Sequence, residues 1–159
     1  YLTNAIAQQV TVLYGTDVTI AGVATGAIGI GALVAQKLNL PFVYVRPEPK
    51  KHGRQNQIEG VVQDGQAVVV IEDLISTGMS SLNAVTAIKA AGIEVLGMIA
   101  LFSYGFEIAE SNFKDVAVEL YTLSDYNHLI KHATATKTIK KEQQQTLVNW
   151  RKSPSTWKP

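Results

Sequence analysis

Two adjacent acids, Glu72 and Asp73, end a run of buried-type residues, Val68-Val69-Val70-Ile71, and are followed at once by Leu74-Ile75-Ser76-Thr77-Gly78-Met79-Ser80-Ser81. The valine run predicts a strand covered on both faces. The residues beyond it predict a turn that opens a helix. Ligands of α/β proteins bind at the C-terminal ends of parallel strands. A turn over Ser76 to Ser80 offers main-chain N–H groups, three hydroxyls and the positive end of a helix starting at Ser81, which together make a cradle for a monophosphate. Two carboxylates beside a plain anion would repel it. They suit a ligand that also presents hydroxyls or a bound Mg2+, as a pentose phosphate does. The string is not a Walker A loop, because no Lys precedes the Ser/Thr pair. Nor do Gly26, Gly29 and Gly31 form a dinucleotide fingerprint, because their spacing is GxxGxG.

A second cluster lies between residues 46 and 57. Arg46, Lys50, Lys51, His52 and Arg54 stand there with almost no apolar residue, so the segment cannot bury itself and reads as a mobile loop.

The elements that must position these groups follow from pattern. Short β-branched runs alternate with helical stretches, which predicts an α/β domain with a central, mainly parallel sheet flanked by helices. Helices are expected over Leu2 to Tyr14, Gly29 to Leu38, Ser81 to Ala91, from a cap at Ser124 toward His132, and from Lys140 to Trp150. Strands are expected over Val18 to Val23, Phe42 to Val45, Ile58 to Val62, Ala67 to Ile71, Glu94 to Phe102 and Val116 to Tyr121. Glu72 to Ser80 is expected to be loop. One domain is expected over 1–150, with a polar tail over 151–159 that is partly disordered.

Composition sets outer bounds. The 159 residues are 47% hydrophobic with a formal net charge of +1, which gives a globular chain without a general electrostatic drive toward nucleic acid or anionic membrane. The absence of cysteine excludes a disulfide scaffold and a thiolate metal site, and makes a reducing cytoplasm the simplest compartment. No apolar run approaches a membrane span, and no signal-peptide pattern opens the chain. His128 and His132 have a metal-compatible spacing but no third ligand, so they are assigned to a solvated helix face. Lys137, Lys140 and Lys141 are assigned to a solvated terminal helix rather than a nucleic-acid patch. Trp150 and Trp157 are expected to pack the tail onto the domain or a partner subunit.

The string Val68 to Ser81 resembles the phosphoribosyl pyrophosphate-binding motif of type I phosphoribosyltransferases. Tyr44-Val45-Arg46-Pro47-Glu48-Pro49-Lys50-Lys51-His52-Gly53, with Gln57-Ile58-Glu59-Gly60 behind it, resembles the catalytic loop of the orotate branch of that family, in its bacterial form. The resemblance runs from about Val18 to Asp125. It implies a type I phosphoribosyltransferase fold and transfer of a phosphoribosyl group to orotate in pyrimidine biosynthesis. A purine-base transferase, or a non-catalytic regulator that senses the same sugar phosphate, is the alternative.

Roles are implied position by position. Glu72 and Asp73 would hold the ribose hydroxyls, with or without Mg2+ between. Leu74, Ile75, Ser76, Thr77, Gly78, Met79 and Ser80 would form the 5-phosphate segment, with Ser76 also touching orotate. Arg46, Lys50 and His52 would close over the pyrophosphate. Ala24, Thr25 and Gly26 would form the pyrophosphate loop, with a non-proline cis peptide within Val23 to Thr25. Lys50, His52, Glu72 and Asp73 would carry the catalysis. Mg2+ would be held mainly by substrate, and a homodimer would share its active sites. Two departures stand out. Pro47 replaces the Lys that many members carry after the loop arginine. Phe102-Ser103-Tyr104 occupies the stretch where some members place an Asp-Arg pair that grips orotate. The resemblance also implies an N-terminal segment ahead of Tyr1.

Overall fold

A computed structural model describes residues 1–46, 48, 57–62 and 65–157. Its centre is a six-stranded sheet in the order β3-β2-β1-β4-β5-β6, formed by Val18–Val23 (β1), Phe42–Val45 (β2), Ile58–Glu59 (β3), Ala67–Ile75 (β4), Val95–Ser103 (β5) and Leu120–Asp125 (β6). All neighbouring pairs are parallel except β2 and β3. The helices are Leu2–Tyr14 (α1), Ala27–Leu38 (α2), Met79–Ala90 (α3), Glu107–Asp115 (α4), Tyr126–Ala135 (α5) and Lys141–Lys152 (α6). No helix among the described residues is long and apolar enough to cross a membrane.

Strand β4 lies inside the sheet, and its valines explain why. Val68, Val70 and Ile75 face one core with Leu82, Val85 and Ile88 of α3. Val69 and Ile71 face the other with Ile6 and Val10 of α1 and Val34 of α2. A strand covered on both faces needs apolar side chains on both, which a continuous valine run supplies and an alternating one does not.

Register then brings the chemistry together. Val18 pairs with Ala67 and Gly22 with Ile71, so β1 and β4 run in step and β1 ends beside Glu72. The segment Ala24 to Gly26 therefore meets the acid pair at one sheet edge.

Several elements differ from expectation. Strand β4 continues through both acids to Ile75, because β5 pairs with it along Glu72↔Ala100, Leu74↔Phe102 and Ile75↔Ser103. Helix α3 begins at Met79 rather than Ser81, and α2 at Ala27 rather than Gly29. The last strand is shifted to Leu120–Asp125, and Asp125, not Ser124, caps α5 by accepting the His128 N–H at 2.9 Å. The short β3 stops at Glu59. Helix α4 was not foreseen: its apolar face is only Ala109 and Phe113, which gives little periodic signal. Helix α6 runs through Arg151 and Lys152, two residues into the stretch read as tail.

Candidate active site

The two acids divide their work by strand alternation. Glu72 is 5% exposed, and Asp73 faces solvent. Glu72 Oε2 accepts the Ser81 hydroxyl at 2.7 Å, and Oε1 accepts the Asp73 N–H at 2.9 Å. The Glu72 carboxyl is pushed up to about 7, by burial first and then by the Asp73 side chain, which accepts from the neutral form. Ser81 and the Asp73 N–H pull the other way, and the Asp73 charge adds to the rise. Ser81 was not singled out from the sequence. Its position two residues into a helix that packs on the acid strand is the signal that marks it.

The turn Ser76 to Gly78 leads into α3. Gly78 is left-handed at φ 80°, and a Cβ there would press on the Phe113 ring at 2.8 Å, so the turn and α4 fix each other. Asn112 on α4 donates to the Thr77 carbonyl at 2.9 Å, a second support that nothing in the local sequence announces. Ser76, Thr77, Met79 and Ser80 are exposed. Leu74 is exposed too, whereas Ile75 is fully buried and packs in the core. Of the segment assigned to the 5-phosphate, Ile75 can therefore contribute only main chain.

Opposite lies the segment Ala24-Thr25-Gly26. The Ala24–Thr25 peptide is cis, inside the window expected for one. The Ala24 N–H donates to the Val45 carbonyl at 2.8 Å, which ties the segment to β2. A Cβ on Gly26 would overlap Asp73 Oδ2, so the main chain at the start of α2 rests against that carboxylate. Arg46 follows β2. Its N–H donates to the Gln57 carbonyl at 2.9 Å, Nε lies 3.7 Å from Glu59 Oε1, and the guanidinium stands 6.0 Å from the Tyr44 ring centre. Lys50, His52 and Pro47 lie outside the described residues, as does most of the loop expected between Pro47 and Gln57.

The arrangement is thus one exposed carboxylate between a cis-peptide segment and a hydroxyl-bearing turn at a helix N-terminus. No group of three or more His, Cys, Asp or Glu that could hold a metal ion occurs among the described residues. The donor set fits a divalent cation carried mainly by an oxygen-rich substrate, with Asp73 as the protein carboxylate open to it.

The Phosphoribosyl transferase domain family matches residues 2–131. The chain is 58% identical to orotate phosphoribosyltransferase of Cytophaga hutchinsonii over 87% of its own length and 66% of that protein. It is 53% identical to orotate phosphoribosyltransferase of Porphyromonas gingivalis over 96% of its own length and 72% of that one. The chain belongs to the orotate phosphoribosyltransferase family. The solved orotate phosphoribosyltransferase of Aeropyrum pernix superposes with a TM-score of 0.68 at 29% identity, covering 81% of this chain and 75% of that one. The type I phosphoribosyltransferase fold follows from the same likeness. The chain thus spans about two thirds to three quarters of the length of these orotate phosphoribosyltransferases.

Proposed function

We propose that the protein transfers the 5-phosphoribosyl group of phosphoribosyl pyrophosphate to orotate, giving orotidine 5'-monophosphate and pyrophosphate, and acts as a homodimer with shared sites and with Mg2+. The observation that carries this reading is the juxtaposition of Asp73 with Gly26 on one side and the Ser76 to Ser80 turn on the other. An acid, a hydroxyl-rich phosphate cradle and a second loop for an anion are the three things a phosphorylated, pyrophosphate-bearing sugar requires.

In the reaction the bond from ribose C1 to the pyrophosphate oxygen breaks and the bond from C1 to the orotate ring nitrogen forms. Positive charge develops on the sugar ring and negative charge on the leaving group. The turn and the N-terminus of α3 anchor the 5-phosphate, so the ring is held at one end. Asp73 faces the ribose hydroxyls and favours the cationic ring, while Glu72, locked by Ser81, keeps the strand end in place. Thr25, Gly26 and Arg46 border the pyrophosphate side, where Lys50 and His52 would add charge and exclude water. Bound Mg2+ would supply further positive charge to the pyrophosphate, and Asp73 is the exposed carboxylate that would help to hold it. The ring nitrogen of orotate gives up its proton as the bond to C1 forms, and the departing pyrophosphate, itself a base, or solvent accepts it.

Turnover with orotate, adenine, hypoxanthine and uracil tests the base. Product is expected with orotate alone, and nucleotide formed from a purine base instead would overturn the reading. Subunit mixing tests the shared site. Lys50→Ala and Asp73→Ala homodimers should each be nearly inactive. If Lys50 acts across the interface, heterodimers made by mixing have one doubly impaired and one intact site. Activity should then return to about a quarter of the parent value at statistical exchange. Continued inactivity after verified exchange would place Lys50 in its own subunit's site.

A further inference from the structure

We infer that Arg151, on the C-terminal helix α6, is a positioning residue for the nucleobase end of the site, acting through the main-chain carbonyls of Tyr104 and Gly105; the inference rests on the function proposed above.

The sugar phosphate turn opens onto a cleft of about 1170 Å³ that begins at Ser76 and Thr77 and continues along Tyr104, Phe106, Tyr126 and Trp150. A base joined to a ribose lies one sugar length from that sugar's phosphate, so the concave surface leading away from the turn is where a base fits. The lining suits a flat heteroaromatic ring. Tyr104 and Phe106 are stacked at 5.4 Å with 6° between their planes, and Trp150 closes on both from α6 at 5.7 and 6.2 Å. Aromatic walls with a few oriented polar groups are the usual composition of such a pocket.

Residues 104–106 form a strap that makes this wall. On one side it hangs from the acid strand: the Tyr104 N–H donates to the Ile75 carbonyl at 3.0 Å, one residue before the phosphate turn. On the other side Arg151 holds it. Nε donates to the Tyr104 carbonyl at 2.8 Å, and Nη2 donates to the Gly105 carbonyl. A planar guanidinium presents two N–H groups at fixed spacing to two consecutive carbonyls, which a lysine ammonium cannot do. From within, the Gly105 N–H donates to Ser103 Oγ at 2.9 Å, and at φ 63° the Gly105 carbonyl is left to be met by Arg151. The chain from α6 through the strap to Ile75 therefore joins the C-terminal helix to the residue that precedes Ser76.

A residue that only fastened α6 would change stability and leave substrate binding alone, or impair both substrates alike. A residue that sets the base wall should act on one substrate. In the full-length enzyme, Arg151→Lys is expected to raise KM for orotate about tenfold, as for loss of one or two charge-assisted hydrogen bonds. KM for phosphoribosyl pyrophosphate should stay within about twofold of the parent. Gly105→Ala approaches the same contact from the opposite side, because its Cβ would lie 2.7 Å from Arg151 Nη2. It should reproduce the selective rise, and the double variant should be no worse than the poorer single one. Equal increases in both KM values, a fall in Tm with both KM values unchanged, or parent-like kinetics in Arg151→Lys would each overturn the inference. Failure of the parent enzyme to use orotate at all would remove the proposed function and this inference with it, whereas a working parent with unaltered variants removes this inference alone.

Discussion

Gly26→Ala is expected to lower kcat/KM on the order of a hundredfold while leaving the fold intact. Gly26 has φ −63° and ψ −37°, a right-handed conformation that alanine adopts freely, so the substitution carries no backbone strain. Alanine also restricts the unfolded chain more than glycine does, which favours the folded state slightly. The cost falls elsewhere. The new Cβ would overlap Asp73 Oδ2 and crowd the rest of that carboxylate. Asp73 is exposed and its carboxylate is the free end of a short side chain, so it swings away instead of forcing the main chain apart. What is lost is the placement of the acid proposed above to face the ribose, a contact that would be worth most in the transition state, where the ring is cationic. Asp73→Ala should lose a similar amount, and the double variant should lose no more than the poorer single, since both remove the same group from the same place. Steady-state kinetics with a thermal melt decide it. Near-parent activity in Gly26→Ala would show that Asp73 works from a different position, and a large fall in Tm would show that the main chain, not the carboxylate, gives way.

That prediction needed the structure, although both residues stand out in the sequence. The valine run and the turn were legible because each reflects a local demand: burial on both faces, and a glycine among hydroxyls where the chain changes direction. The helices α1, α2 and α3 and the strands β1 and β2 follow from periodicity for the same reason. Contacts set by register were not legible. Nothing local says that Gly26 meets Asp73, because 47 positions separate them and the meeting follows from β1 and β4 running in step. The end of β4 was misjudged for a related reason. Glu72 and Asp73 look like loop residues in isolation, and only the length of β5 keeps them in the sheet. The supports from Asn112, Tyr104 and Arg151 come from α4, from the end of β5 and from α6, each brought to the site by tertiary packing alone. The family resemblance named the roles; the fold supplied the division of the acid pair into a buried anchor and an exposed partner.

The buried anchor leads to the second large effect, a stability that falls as pH rises. Glu72 is pushed up to about 7 in the folded protein from an ordinary value of 4.5. Between those two values the unfolded chain has lost this proton and the folded one has kept it. The unfolded state therefore binds fewer protons, and unfolding becomes easier as pH rises through the window. The contribution is fully present below pH 4.5, is lost progressively up to about 7, and stays lost above it. A shift of this size corresponds to a stability change on the order of 3 kcal/mol. Glu72→Gln removes the titration and keeps the shape. The amide oxygen can still accept the Asp73 N–H. The amide nitrogen can donate to Ser81 Oγ or to the Asp73 carboxylate, as the protonated acid does. The variant should therefore match the parent near pH 4.5 and exceed its stability at pH 8. Chemical denaturation of both proteins at pH 4.5, 6, 7 and 8 checks this, as the difference between them isolates Glu72 from every other titrating group. A difference that does not grow with pH would mean that Glu72 is ionised in the folded state throughout, with the Ser81 hydroxyl and the Asp73 N–H outweighing burial and the neighbouring charge.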